Sequence, residues 1–264
     1  MVRQYGIEHT HEPFIMFIDT GDYFFENIFD EIVETIQNHP QVQMFSWQHL
    51  YKDKPCTDKN NRLHGRVYRR QFLEKYGIHF SKDGSRANED VGFNRACRII
   101  IKHLGIEENY LFIEKPIIQW VVDPNSITQR DNCAFSYEKQ NLGLAINDLS
   151  AIDICRKNNI PEELLIDEIN EIMVSEHYFF IATAQLRPEF LKQAWDGAKL
   201  YYEKAFKQYE SNNFSSFQVT FSYSLRRMRQ RLKDGKWKNT KIPINIRRFL
   251  DDLKKYENPP EWYT

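Results

Sequence analysis

An α/β domain followed by a helical extension is the architecture the sequence predicts, and three observations predict it. Short apolar runs alternate with helix-period segments up to about residue 134. Beyond residue 135 only the helical period continues, and neither part carries an internal repeat or a low-complexity linker. In the first part, residues 14–18 and 42–49 read as strands and residues 24–38 and 90–104 as amphipathic helices. Residues 110–113 and 117–122 read as two further short strands separated by Glu114, Lys115 and Pro116. In the second part Leu165, Ile169, Ile172 and Met173 share one helical face. Pro161 followed by two glutamates suits a helix start, and Pro188 opens another helix. The expected domains are therefore 1–134, α/β, and 135–264, helical.

A chain of 264 residues is long enough to bury a sizeable core without staples. With 41% hydrophobic residues and only ten glycines and ten prolines, disorder and fibrous repeats are excluded. A formal net charge of -1 carries no message about partners, so only local clusters can. Cys56, Cys97, Cys133 and Cys155 are widely spaced with no CxxC pair, which favours reduced thiols and a cytoplasmic setting over disulfides or a zinc site. No stretch approaches the roughly 18 apolar residues of a membrane span, and the first residues are not signal-like.

Two acidic constellations stand out. The strand at 14–18 runs directly into Asp19, Thr20, Gly21 and Asp22. In a mostly parallel sheet, the C-terminal ends of strands border the crevice where ligands bind, and two carboxylates there suit a hard cation such as Mg²⁺ or Mn²⁺. The competing readings are a plain turn, or Asp19 capping a helix that begins near Phe24. Downstream, a basic and aromatic stretch from Leu63 leads to Glu89 and Asp90 at the start of a helix. The helix dipole keeps such carboxylates ionised, which suits a general base, although simple capping produces the same pattern. No HExxH, G-x-S-x-G or Walker sequence is present, so hydrolase and P-loop readings lack support.

The order of these parts resembles the family-2 glycosyltransferases of the A-type nucleotide-sugar fold. "VRQYGI" at residues 2–7 is similar to that family's "ARNxGI", and "FIMFIDTGDYF" at 14–24 to its "YIMFLDSDDYF". "HGRVYRRQFLEKYGIHF" at 64–80 resembles its "GKLYRRxFLxxxxIxF", "NEDVGF" carries its Glu-Asp pair, and "DPNSIT" at 123–128 is similar to its "RPGSIT". The resemblance spans roughly Val2 to Phe135. It implies a partial A-type, Rossmann-like sheet and inverting transfer of a sugar from a nucleotide-sugar donor, a UDP-sugar, to a hydroxyl on a glycan or a modified nucleic-acid base. On it, Asp90 is the catalytic base, Asp22 and Asp19 hold Mg²⁺ or Mn²⁺, and Arg3 lies near the donor diphosphate. His64, Arg66 and Tyr68 line the acceptor side, with Glu89 as a supporting acid.

Two departures accompany the match. Gly21 stands where the family has its middle acid, and the similarity begins downstream of the strands that hold the donor's base and ribose. A partner chain or second copy covering the open sheet edge is the corresponding expectation. A non-catalytic binding or assembly protein retaining the fold is the alternative. Near the C-terminus Arg226, Arg227, Arg229, Arg231 and Lys233 form a basic cluster that reads either as a solvated face or as a site for a polyanion or nucleic acid.

Overall fold

The computed structural model describes residues 2–56, 63–82, 89–123, 134–210 and 245–263, together with Arg226 and Gln230. The chain divides into two compact units. The first comprises Met1–Lys82, Asp90–Asp131 and Ile154–Ile160; the second comprises Asp83–Glu89, Asn132–Asp153 and Pro161–Thr264.

The first unit opens with helix α1 (Val2–His9) and continues through strands β1 (Phe14–Met16) and β2 (Tyr23–Phe24), helix α2 (Ile28–Asn38), and strands β3 (Met44–Tyr51), β4 (Lys54–Pro55) and β5 (Arg66–Arg69). Helices α3 (Arg70–Lys75), α4 (Glu89–Leu104) and α5 (Ile106–Asn109) then lead into strand β6 (Tyr110–Trp120). Among the described residues the sheet order is β1-β5-β3-β6-β2, with β4 paired to β3.

The expectation of a mostly parallel sheet is corrected: β3 and β6 pair in parallel, and the other four pairings are antiparallel. Because β5 runs against both β1 and β3, strands β1, β3 and β6 nevertheless share one direction. Their C-terminal ends, and the start of β5, therefore lie along the same edge.

Side-chain alternation assigns the two faces. Phe45 and Trp47 of β3 and Val67 of β5 pack with Ile28 and Ile32 of α2 in one apolar cluster. On the other face Tyr68 meets Phe93 of α4 at 5.3 Å between ring centres, and Phe93 stacks on Phe80 at 4.3 Å.

Helix α2 begins four residues later than the periodicity predicts. Tyr23 and Phe24 pair instead with Gln119 and Ile118 of β6, and Asn27, with φ 59°, turns the chain into the helix. Where residues 110–113 and 117–122 read as two strands, Tyr110–Trp120 is one strand with a register shift. From Trp47 to Tyr51, β3 advances four residues while β6 advances seven, from Ile113 to Trp120. Pro116 has no N–H to give to a ladder, so the break falls around it while the backbone stays extended. Beyond β3, Lys52 and Asp53 both take positive φ, 51° and 58°, as a two-residue hairpin to β4 requires.

The second unit is helical, as the period beyond residue 135 predicts. The long helix α6 (Ala134–Lys157) gives its last turn to the first unit, where Asn158 donates to the Tyr76 carbonyl at 2.8 Å. Within the second unit, α7 (Glu162–Leu186), α8 (Leu191–Tyr201) and α9 (Ile246–Lys255) enclose Phe180, Trp195, Phe249 and Tyr263. Leu165, Ile169, Ile172 and Met173 are fully buried. Asp252 accepts from the Tyr263 hydroxyl at 2.9 Å and the Trp262 indole at 3.1 Å, fastening the C-terminal segment to α9.

No described helix is long and apolar enough to cross a membrane. Cys56, Cys97 and Cys155 form no disulfide among the described residues, and Cys97 and Cys155 are buried. Cys133, Arg227, Arg229, Arg231 and Lys233 lie outside the described residues; Arg226 is exposed.

Candidate active site

Three of the residues singled out in the sequence meet at the shared edge of β1, β3 and β6. After β1 the chain makes a four-residue turn in which the Asp22 amide donates to the Asp19 carbonyl at 3.1 Å. Gly21 occupies the third position of that turn with φ +100°, a conformation an L side chain adopts only under strain. Gly21 is thus the residue this turn requires, and the turn brings both flanking carboxylates within reach of His64. The turn reading and the site reading describe the same four residues.

Asp22 is almost enclosed, with 3% of its side chain exposed, and its two oxygens have different tasks. Oδ1 accepts the Val121 amide just past β6 at 2.9 Å, while Oδ2 faces Nε2 of His64 at 3.1 Å. Asp19 is half exposed, pairs with the Arg3 guanidinium, and holds Oδ2 at 3.8 Å from the same His64 nitrogen. One ligand atom from each of Asp19, Asp22 and His64 lies within 4.8 Å of the others. Arg3 reaches this cluster from α1, which places a cation beside the two acids without its entering their turn.

The His64 ring is fixed by its neighbours. It stacks on Trp120 at 4.9 Å and 21°, with His49 at 5.2 Å, and Tyr51 packs on Trp120 at 4.6 Å. His49, Trp120 and the Val121 amide were not singled out in the sequence. The rule that pointed to Asp19 and Asp22, that strand C-termini border the site, applies equally to His49 on β3 and Trp120 at the end of β6.

Gly65 explains how His64 arrives. With φ +72° it lies so close to β3 that a Cβ would come within 2.5 Å of the Trp47 carbonyl oxygen, and its own carbonyl accepts the Trp47 amide at 2.8 Å. The His64 backbone is thereby laid against β3.

Arg66 and Tyr68, expected on the acceptor side, lie on the inner face of β5. Both are buried and point to the α4 face, where Arg66 donates to Asn94 Oδ1 at 3.0 Å and the Tyr68 hydroxyl donates to the same oxygen. Burial pushes the Tyr68 phenol well above its ordinary value, against the lowering influence of Arg66. Their buried polar atoms are thus satisfied in a network that ties β5 to α4. Glu89 and Asp90 occupy the first two positions of α4, and Asp90 lies one turn before Asn94 on the same helical face. Its charge reaches the Tyr68 phenol. Residues 64, 66 and 68 so connect the carboxylate cluster to the face of α4 that carries Asp90.

A cleft of about 330 Å³ bounded by Gln43, Arg69, Lys75 and Tyr76 lies where β3 and β6 begin, at the other end of the sheet, and contains none of these acids. The chemistry-bearing groups are at the strand ends, which makes that edge the candidate site.

Comparison with protein-family models and with curated proteins returns no match. Crystal structures of S. aureus TarS are similar. TarS 1–349 in complex with UDP-GlcNAc matches with a TM-score of 0.52 at 12% identity, over 88% of this chain and 71% of that one. TarS 1–349 in complex with UDP gives 0.38 at 13%, over 80% and 71%. A further TarS structure gives 0.38 at 13%, over 83% of this chain and 42% of that one. The first likeness and the sheet described above agree on the fold alone: a mixed α/β sheet of the A-type, glycosyltransferase-like kind followed by helices.

Proposed function

We propose that the chain transfers a sugar, with inversion, from a UDP-sugar to a hydroxyl acceptor, in the manner of a family-2 enzyme. The observation that carries this is the convergence of Asp19, Asp22 and His64, with Arg3 beside them, at the shared C-terminal edge of β1, β3 and β6. A solved structure of the same fold contains UDP-GlcNAc, which supports a nucleotide-sugar donor.

In this reading Asp90 accepts the proton of the acceptor hydroxyl. The freed oxygen attacks the anomeric carbon, and the sugar–phosphate bond breaks with its electron pair leaving on the diphosphate. Asp90 suits the role because the N-terminus of α4 favours its ionised form. Asp19 and Asp22 would hold Mg²⁺ or Mn²⁺, which offsets charge on the departing diphosphate. Arg3, now paired with Asp19, adds a second cation at the same end of the donor.

Titration calorimetry with UDP and with several UDP-sugars in the presence of Mn²⁺ tests the donor. Binding of at least one UDP-sugar in the micromolar to millimolar range is expected, with loss of about tenfold or more on Asp22→Asn, as removal of a charge-bearing ligand predicts. Absence of binding to any sugar nucleotide would reject the reading.

A further inference from the structure

We infer that His64 is a third ligand of the cation centre and that the centre takes Mn²⁺ in preference to Mg²⁺; this rests on the reading of Asp19 and Asp22 as a cation site. Ligand atoms about 2.1 Å from a shared ion at right angles stand about 3.0 Å apart, and at tetrahedral angles about 3.4 Å. His64 Nε2 lies 3.1 Å from Asp22 Oδ2, the spacing of neighbouring corners of one shell, and 3.8 Å from Asp19 Oδ2, and one ligand atom of each of the three residues lies within 4.8 Å of the others, so a small inward shift of the exposed Asp19 brings all three onto one ion.

The donors are also directed. Asp22 commits Oδ1 to the Val121 amide, which turns Oδ2 toward His64. His64 is about nine-tenths buried, and its ring is held between Trp120 and His49, so little side-chain freedom remains to be lost on coordination. Asp19 is more exposed and paired with Arg3, leaving one open side. The cluster draws on three segments, around residues 19, 22 and 64, that only the fold brings together.

The mixed donor set carries the selectivity. Magnesium favours an all-oxygen shell and dehydrates reluctantly, whereas imidazole suits the first-row transition ions. Two carboxylate oxygens and one imidazole nitrogen therefore rank Mn²⁺ above Mg²⁺.

The metal alone is the probe. Wild-type protein is titrated with Mn²⁺ and with Mg²⁺, following loss of the free Mn²⁺ paramagnetic resonance signal and quenching of tryptophan fluorescence. Trp120 lies against His64 and should report the bound paramagnetic ion, so Trp120→Phe should remove most of the quenching while Mn²⁺ still binds. Mn²⁺ is expected to bind at least about tenfold more tightly than Mg²⁺ to the wild type. His64→Ala should weaken Mn²⁺ on the order of 10–100-fold and Mg²⁺ by less than about threefold, so that the preference collapses.

Equal wild-type affinity for the two ions overturns the inference, and this measurement does not depend on any variant folding. Unchanged Mn²⁺ affinity in a folded His64→Ala protein overturns the role of His64 and leaves the Asp19 and Asp22 site standing. Absence of any metal binding to the wild type overturns both.

Discussion

Asp90→Asn is expected to lower sugar transfer by roughly 10²–10⁴-fold while leaving donor affinity within about twofold. The substitution keeps the shape of the side chain and removes the charge and the basicity that take the proton. With the acceptor unidentified, water serves in its place, and the measurement is release of UDP from a UDP-sugar in the presence of Mn²⁺. Asp90 stands in the first turn of α4, so its replacement also removes a favourable charge–dipole contact worth about 0.3–1 kcal/mol. That cost is too small to unfold the unit, and a thermal melt separates it from lost chemistry. Glu89→Gln removes the neighbouring carboxylate from the same turn and should lower UDP release far less. If Asp90→Asn retains UDP release within a few fold, the base is another group, although nucleotide-sugar binding would still stand.

Gly65→Ala is expected to destabilise the first unit by about 3 kcal/mol or more, since left-handed strain costs about 1–2 kcal/mol and a backbone clash adds to it. The new methyl would meet the Trp47 carbonyl oxygen at 2.5 Å, and neither partner can swing aside because both are main chain. Gly77 supplies the comparison: its φ is +57°, yet nothing lies within 4 Å of its Cβ position. Gly77→Ala therefore carries the conformational cost alone, about 1 kcal/mol. Urea unfolding of the two variants separates strain from collision. Equal losses would mean that the close approach of Gly65 to β3 does not hold in solution. The same substitution should displace His64 and weaken Mn²⁺ binding, because residue 65 fixes the path of residue 64.

The two parts of this chain were unequally legible. The α/β-to-helical change was visible because periods of two and 3.6 residues differ plainly in Phe14 to Trp120 and in Leu165 to Met173. Asp19 and Asp22 were visible because acids directly after an apolar run are conspicuous. Asn94, which joins Arg66 and Tyr68, was not, since a buried asparagine on an amphipathic helix looks like any polar position until its partners on β5 are known. The resemblance of their segment set Arg66 and Tyr68 on the acceptor side, and it carried no sign that alternation along β5 turns both toward α4 and Asn94. Strand sense was equally hidden, because an apolar run carries no mark of whether its neighbour runs with it or against it.

The register shift in β6 has a consequence for how this gene can change length. Paired residues of neighbouring strands share a face, so the Tyr51–Trp120 pairing itself keeps Trp120 beside His49 and His64. The three residues by which β6 exceeds β3 between Ile113 and Trp120 are taken up where the register shifts, around Glu114, Lys115 and Pro116. Loss or gain of a codon there alters the bulge and leaves the pairing beyond it in place. The stretch between the strand's halves thus behaves as slack that absorbs drift in length before it reaches the site.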